Sequence, residues 1–100
     1  MLYAIIGEDV PHSQEKRAAA RPPHIERLKA LQDEGRLLLA GPFPAIDSPD
    51  PGPAGMSGSL IVAEFSSLEE AQRWAEADAY VTEGVFARVT VKPFRKTLPA

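Results

Sequence analysis

Pro22-Pro23-His24-Ile25-Glu26-Arg27-Leu28-Lys29-Ala30-Leu31-Gln32-Asp33-Glu34-Gly35-Arg36-Leu37-Leu38-Leu39-Ala40-Gly41 reads as a helix turned into a strand. Proline suits a helix's first turn, where its missing N–H would have no partner anyway. Gly35 supplies the residue that closes a helix in the left-handed conformation. The spacing therefore predicts a helix over 22–34 and a short strand over 36–41. Upstream, residues 2–7 are apolar, with a Tyr and two Ile, and read as a strand covered on both faces. Between them lie the good helix formers Gln14–Ala20, with Ser13 as N-cap. Pro22 disfavours helical geometry at Arg21, so 14–20 is expected to be a separate short helix.

Downstream, five of the ten prolines fall between residues 42 and 53. The segment Phe43–Ser57 is expected to be a long loop, inserted within one domain that spans 1–100. Gly58–Phe65 reads as a strand. Ser66-Ser67-Leu68-Glu69 fits the capping pattern Ser-x-x-Glu and starts a helix through about Ala77. Asp78–Gly84 is a turn, and Val85–Phe94 alternates as a strand. The alternation puts Val85, Ala87, Val89 and Val91 on one face and Phe86, Arg88, Thr90 and Lys92 on the other. The order is β-α-β-β-α-β: an α+β, ferredoxin-like arrangement with a four-stranded antiparallel sheet and helices on one face. The other sheet face is left open. Strands 1 and 3, with Phe86 and Phe94, make it apolar, so a homodimer or higher homo-oligomer is expected to cover it.

Composition narrows the function. One hundred residues hold one modest core. Fourteen acidic against eleven basic residues leave a net charge of −3, which argues against nucleic acid as the main partner. No apolar run approaches the ~18 residues of a membrane span, and the first residues lack the basic start of a secretory leader. There is no cysteine, hence no disulfide framework and no thiolate nucleophile or ligand. A cytoplasmic protein without membrane or nucleic-acid partners is the expectation.

Two side chains stand out. At about 100° per residue, His24 shares an arc with Leu28 and Leu31, inside the apolar stripe. In the first turn of the expected helix, the dipole opposes a positive charge and favours the neutral imidazole a general base needs. Asp78 continues the stripe of Ala71 and Ala75 and faces inward at a helix C-terminus, where a carboxylate is disfavoured. In this topology the two helices are antiparallel neighbours, so His24 and Asp78 converge. Two readings of each stay open. His24 is either a core histidine bonded to a carbonyl or an acid/base. Asp78 is either the N-cap of Ala79–Thr82 or the group that orients the histidine. Arg21 could grip an anionic ligand beside free helix N–H groups, or be solvated. Ser59 is a small polar residue in an apolar strand. One His and one Asp are too few for a metal, and His12 has no spacing partner.

Arg21-Pro22-x-His24, Leu28-x-x-Leu31-x-x-Glu34-Gly35-x-Leu37-x-x-Ala40-Gly41-Pro42, Gly58-Ser59, Glu70-Ala71, Asp78-x-Tyr80, Gly84-Val85 and Val91-Lys92-Pro93-Phe94 together resemble the YciI (YCII-related) family over roughly 1–96. The resemblance implies the dimeric α+β barrel fold. It also implies kinship with muconolactone-isomerase-type enzymes and with dehydrochlorinases of hydroxylated aromatics. The family's His-Asp pair maps onto His24 and Asp78; Ala79 stands where proline is common. The resulting expectation is a cofactor-independent lyase or isomerase acting on a small molecule. His24 and Asp78 would be catalytic, and Arg21, Gly41, Pro42, Ser59 and Tyr80 would bind substrate, with no metal. The alternative is a non-catalytic ligand-binding or accessory module.

Overall fold

A computed structural model describes all 100 residues. Four strands, β1 (Leu2–Asp9), β2 (Leu37–Pro44), β3 (Met56–Glu64) and β4 (Phe86–Phe94), form one antiparallel sheet in the order β2-β3-β1-β4. The helices are α1 (Gln14–Asp33), α2 (Leu68–Glu76) and the single turn α3 (Ala79–Thr82). This is the expected ferredoxin-like α+β fold. Tyr3 and Ile5 of β1, Ile61 and Ala63 of β3, Leu28 and Leu31 of α1 and Ala71 and Ala75 of α2 form the core, with Phe65 among them. Trp74 and Val91 seal its edge.

The expected break at Arg21-Pro22-Pro23 does not occur: α1 runs unbroken through both prolines for 20 residues. Its inward stripe, Ala20, His24, Leu28 and Leu31, keeps one period throughout. Both prolines lie on the exposed face, where the Ala18 and Ala19 carbonyls they leave unpartnered are open to water. Burial of the continuous stripe outweighs local propensity. Gly35 does close the helix, at φ +73°, with its N–H donating to Gln32 and that of Arg36 to Leu31.

Other expectations shift in detail. The loop is shorter than 43–57, because Phe43 and Pro44 pair with Gly58 and Met56 on an edge strand, where proline is tolerated. Gly52–Ala54 forms a single 3-10 turn inside it. The helix cap is Ser67, not Ser66: its hydroxyl accepts the Glu70 N–H at 3.1 Å. Phe86 is not on the open face. Opposite Glu8 and Asp9 the register slips, pairing Glu8 with Arg88 and Asp9 with Phe86. The bulge at Ala87 reverses the alternation, and the Phe86 ring covers Gly7, where a Cβ would lie 2.5 Å from it. The open face presents Leu39 and Phe43 of β2, Leu60 of β3, Ile6 of β1 and Phe94 of β4, with Leu39, Phe43 and Phe94 at least 40% exposed.

Candidate active site

The inward stripe of α1 changes character along its length. Leu28 and Leu31 pack into the core, whereas His24, Ala20, Arg17 and Ser13 face the rim of the sheet, where β1 ends and β3 and α3 begin. His24 is the eleventh residue of α1. The expectation that it feels the helix dipole's positive end therefore fails, since that effect fades within the first turn. Arg21 likewise sits mid-helix, away from the first-turn N–H groups it was expected to adjoin.

His24 Nδ1 lies 2.7 Å from Asp78 Oδ2, with the two side chains 6% and 5% exposed. Asp78 joins both of its expected roles. It N-caps α3 by accepting the Tyr80 N–H at 3.0 Å on the same oxygen that faces His24. Arg27 Nη1 donates to its other oxygen at 3.1 Å and stacks its guanidinium 4.2 Å over Trp74. Burial alone pushes the Asp78 carboxyl up; the His24 and Tyr80 hydrogen bonds and the charges of His24 and Arg27 outweigh it and hold the group below its ordinary value. The carboxylate therefore persists at neutral pH and fixes the imidazole with Nδ1–H as donor.

His24 Nε2 has no partner in the chain, yet no buried polar side-chain atom is left unsatisfied, so Nε2 reaches solvent. It does so into a cavity of about 170 Å³ lined by Arg17, Arg21, His24, Gly41, Pro42, Ser59 and Tyr80, with Ile25, Leu28, Ala40 and Ile61 as apolar walls. A neighbouring hollow of about 310 Å³ shares Arg17, Arg21, Pro42 and Tyr80 and runs beneath the Pro51–Gly52 turn. Gln14 pins that turn through Pro53 O at 2.6 Å. The Tyr80 ring stacks on His24 at 3.8 Å and 9°. Burial raises the Tyr80 phenol, against the opposing charges of Arg17 and Arg21, so it stays protonated. Arg21 is exposed and makes no hydrogen bond or ion pair. His12 lies outside this site, in the β1–α1 turn at φ +56°. No group of three His, Asp or Glu side chains is arranged to hold a metal ion.

Sequence reasoning missed Arg17, Asp9 and Arg27. Arg17 is seven residues, two helical turns, before His24 on the same face; carrying the period through the prolines would have exposed it.

This ferredoxin-like α+β fold, with a buried His-Asp pair opening on a rim cavity, is the fold of the α+β barrel proteins. The match narrows further: the chain fits the YCII-related domain model over residues 1–95 and belongs to that family. It is 59% identical to Protein YciI of Escherichia coli O6:H1, over 96% of this chain and 98% of that protein. It is 52% identical, over the same shares, to an uncharacterized protein of Haemophilus influenzae. Among solved structures, it resembles 5-chloro-2-hydroxyhydroquinone dehydrochlorinase (TftG) of Burkholderia phenoliruptrix AC1100, in complex with 2,5-dihydroxybenzoquinone. That likeness has a TM-score of 0.82 and 25% identity, and covers 95% of this chain and 94% of that one.

Proposed function

We propose that the chain is a small-molecule enzyme of lyase or isomerase type, working without a cofactor, with His24 as general acid/base. One observation carries this: Nδ1 is committed to a buried carboxylate while Nε2 opens into a cavity. A histidine kept only for packing would be sealed on both nitrogens. Asp78 fixes the tautomer, and Arg21 offers the one unpaired cation at the mouth, suited to an anionic group. Gly41, Pro42, Ser59 and Tyr80 shape the cavity. In the step proposed, Nε2 removes a proton from substrate. It then either returns the proton at another atom, which is isomerisation, or the displaced electron pair expels a leaving group, which is elimination. The likeness to TftG supports the second course.

The test is a screen of chlorinated hydroxyquinols, lactones and esters, including 5-chloro-2-hydroxyhydroquinone, with wild type against His24→Ala. Positioned acid/base groups contribute about 10²–10⁴-fold, so the variant should lose at least a hundredfold. A ligand bound by both proteins and turned over by neither would favour the accessory-module reading.

We also propose that a second copy covers the open sheet face, on the strength of the exposed Leu39, Phe43 and Phe94. Sedimentation of wild type should give a dimer or larger homo-oligomer, and a Leu39→Glu variant should dissociate. A wild-type monomer at micromolar concentration would contradict this.

A further inference from the structure

The outer hollow has a fixed roof. The Ala45 N–H donates to the Gly55 carbonyl at 2.9 Å and closes the neck of the β2–β3 loop. At the tip, Ser48 Oγ donates to the Asp50 carbonyl at 2.9 Å, and Asp50 Oδ1 accepts the Gly52 N–H at 3.3 Å. Pro51 is buried, although Asp50 and Gly52 on either side of it are exposed. The Gln14 side chain, donating to Pro53 O, lies so close over Gly55 that a Cβ there would come within 2.8 Å of it. A loop tied at both neck and tip pays little of the ordering cost that weakens ligand binding at mobile loops.

The inner cavity, about 170 Å³, is small for a ligand site, where about 300–1,000 Å³ is usual. The outer hollow, about 310 Å³ and sharing Arg17, Arg21, Pro42 and Tyr80 with it, brings the two together into that range. Ala18, Pro42, Pro51 and Met56 make much of the outer wall apolar, and three charges stand in it. That of Arg17 is answered by Asp9, whose Oδ2 lies 2.6 Å from its Nε. Those of Arg21, on α1, and Asp50, on the loop, are not. Arg21 has no partner, and the Asp50 carboxylate accepts only the Gly52 N–H. Two opposite charges thus border one hollow without meeting, and a ligand carrying both signs would complete them.

We infer that the outer hollow is a second binding subsite, which takes a zwitterionic tail of amino-acid type. Its ammonium lies on Asp50 and its carboxylate on Arg21, while a small apolar head enters the cavity of His24. Joining head and tail in one substrate rests on the proposed catalytic role of that cavity; the subsite itself does not. Such a substrate is longer than a single substituted ring. Holding its non-reacting tail under the turn orients the reacting end at Nε2.

The experiment records ¹⁵N–¹H spectra of the full chain at neutral pH and low ionic strength. It is titrated with 2-phenylethanol, phenethylamine, 3-phenylpropionate and phenylalanine, which carry no charge, a cation, an anion and both. Each charge should improve binding about two- to fivefold, the scale of a solvent-screened ion pair. Phenylalanine should therefore bind about tenfold more tightly than 2-phenylethanol, and should shift the amides of Asp50, Gly52 and Gly55. Asp50→Asn keeps an oxygen for the Gly52 N–H, so the turn survives. It should erase the gain from the amine and spare the gain from the carboxylate; Arg21→Gln should do the reverse. His24→Ala should leave the ranking of the probes unchanged. A failure of turnover in the wild type would thus count against the acid/base reading and leave the subsite standing. Equal affinity for all the probes, or no shifts at tens of millimolar probe, would overturn the inference. So would shifts confined to residues away from the hollow, or an Asp50→Asn effect equal for every probe.

Discussion

Replacing Asp78 by Asn tests the centre of the site without changing its size. The carboxylate, 3% exposed, accepts from His24 Nδ1 at 2.7 Å, Tyr80 N at 3.0 Å and Arg27 Nη1 at 3.1 Å. An amide has one acceptor oxygen. Turned toward His24 and Tyr80, it presents its NH₂ to Arg27, whose side chain is 28% exposed and can swing into water. One charge-assisted bond, about 1.5–3 kcal/mol, is then lost, and the other two weaken without the charge. The net cost is on the order of 3 kcal/mol, against a total near 5–15 kcal/mol. At ~4–8 °C per kcal/mol for a domain of this size, the midpoint should fall by about 12–24 °C.

The pH dependence gives the sign. Asp78 is held below its unfolded value of 3.8. Its contribution is thus fully present above that value and is lost as pH falls through the lower, folded one. Asparagine has no such contribution, so the two proteins should converge in acid. Urea unfolding followed by circular dichroism at stepped pH measures this directly. A difference below about 1 kcal/mol at neutrality, less than one charge-assisted bond, would refute the reasoning. So would a difference that persists unchanged to the acid limit.

Three further outcomes are expected. Pro22→Ala with Pro23→Ala should raise stability by about 4–5 kcal/mol, since each interior helical proline costs roughly 3 kcal/mol and returns only about 0.4–1 kcal/mol by restricting the unfolded chain; a loss would show that the prolines shape α1. Gly58→Ala should destabilise by about 1–3 kcal/mol, because its Cβ would lie 2.3 Å from the Gly7 carbonyl oxygen; a neutral result would mean that β1 and β3 can separate freely. Shortening the loop within 46–50 should barely move the melting temperature but should change ligand affinity, as the loop continues into the turn over the outer hollow; unfolding would show that the loop is structural.

The order of elements was legible because each carries its own periodicity and punctuation, as Gly35 does at the end of α1 and alternation does in β4. The approach of His24 to Asp78 was legible for a different reason. Each is a polar residue on an apolar stripe, and the topology sets those stripes side by side. Local signals misled where tertiary packing outweighed them. Pro22 and Pro23 read as a break, yet α1 holds its buried stripe through them, and breaking it concealed Arg17. Phe86 was placed on the wrong face because a bulge leaves no mark in an alternating pattern. Nothing in the sequence singles out Asp9 or Arg27 among the other charged residues. Only the fold shows that one fixes Arg17 and the other shares the Asp78 carboxylate.

The most direct test of the account is the tautomer of His24, read from ring nitrogen shifts and long-range couplings in ¹⁵N-labelled protein at a pH where the imidazole is neutral. The account predicts a proton on Nδ1, donated to Asp78, and a bare Nε2 whose signal responds to ligand. A proton on Nε2, or two forms in exchange as in a free imidazole, would contradict it.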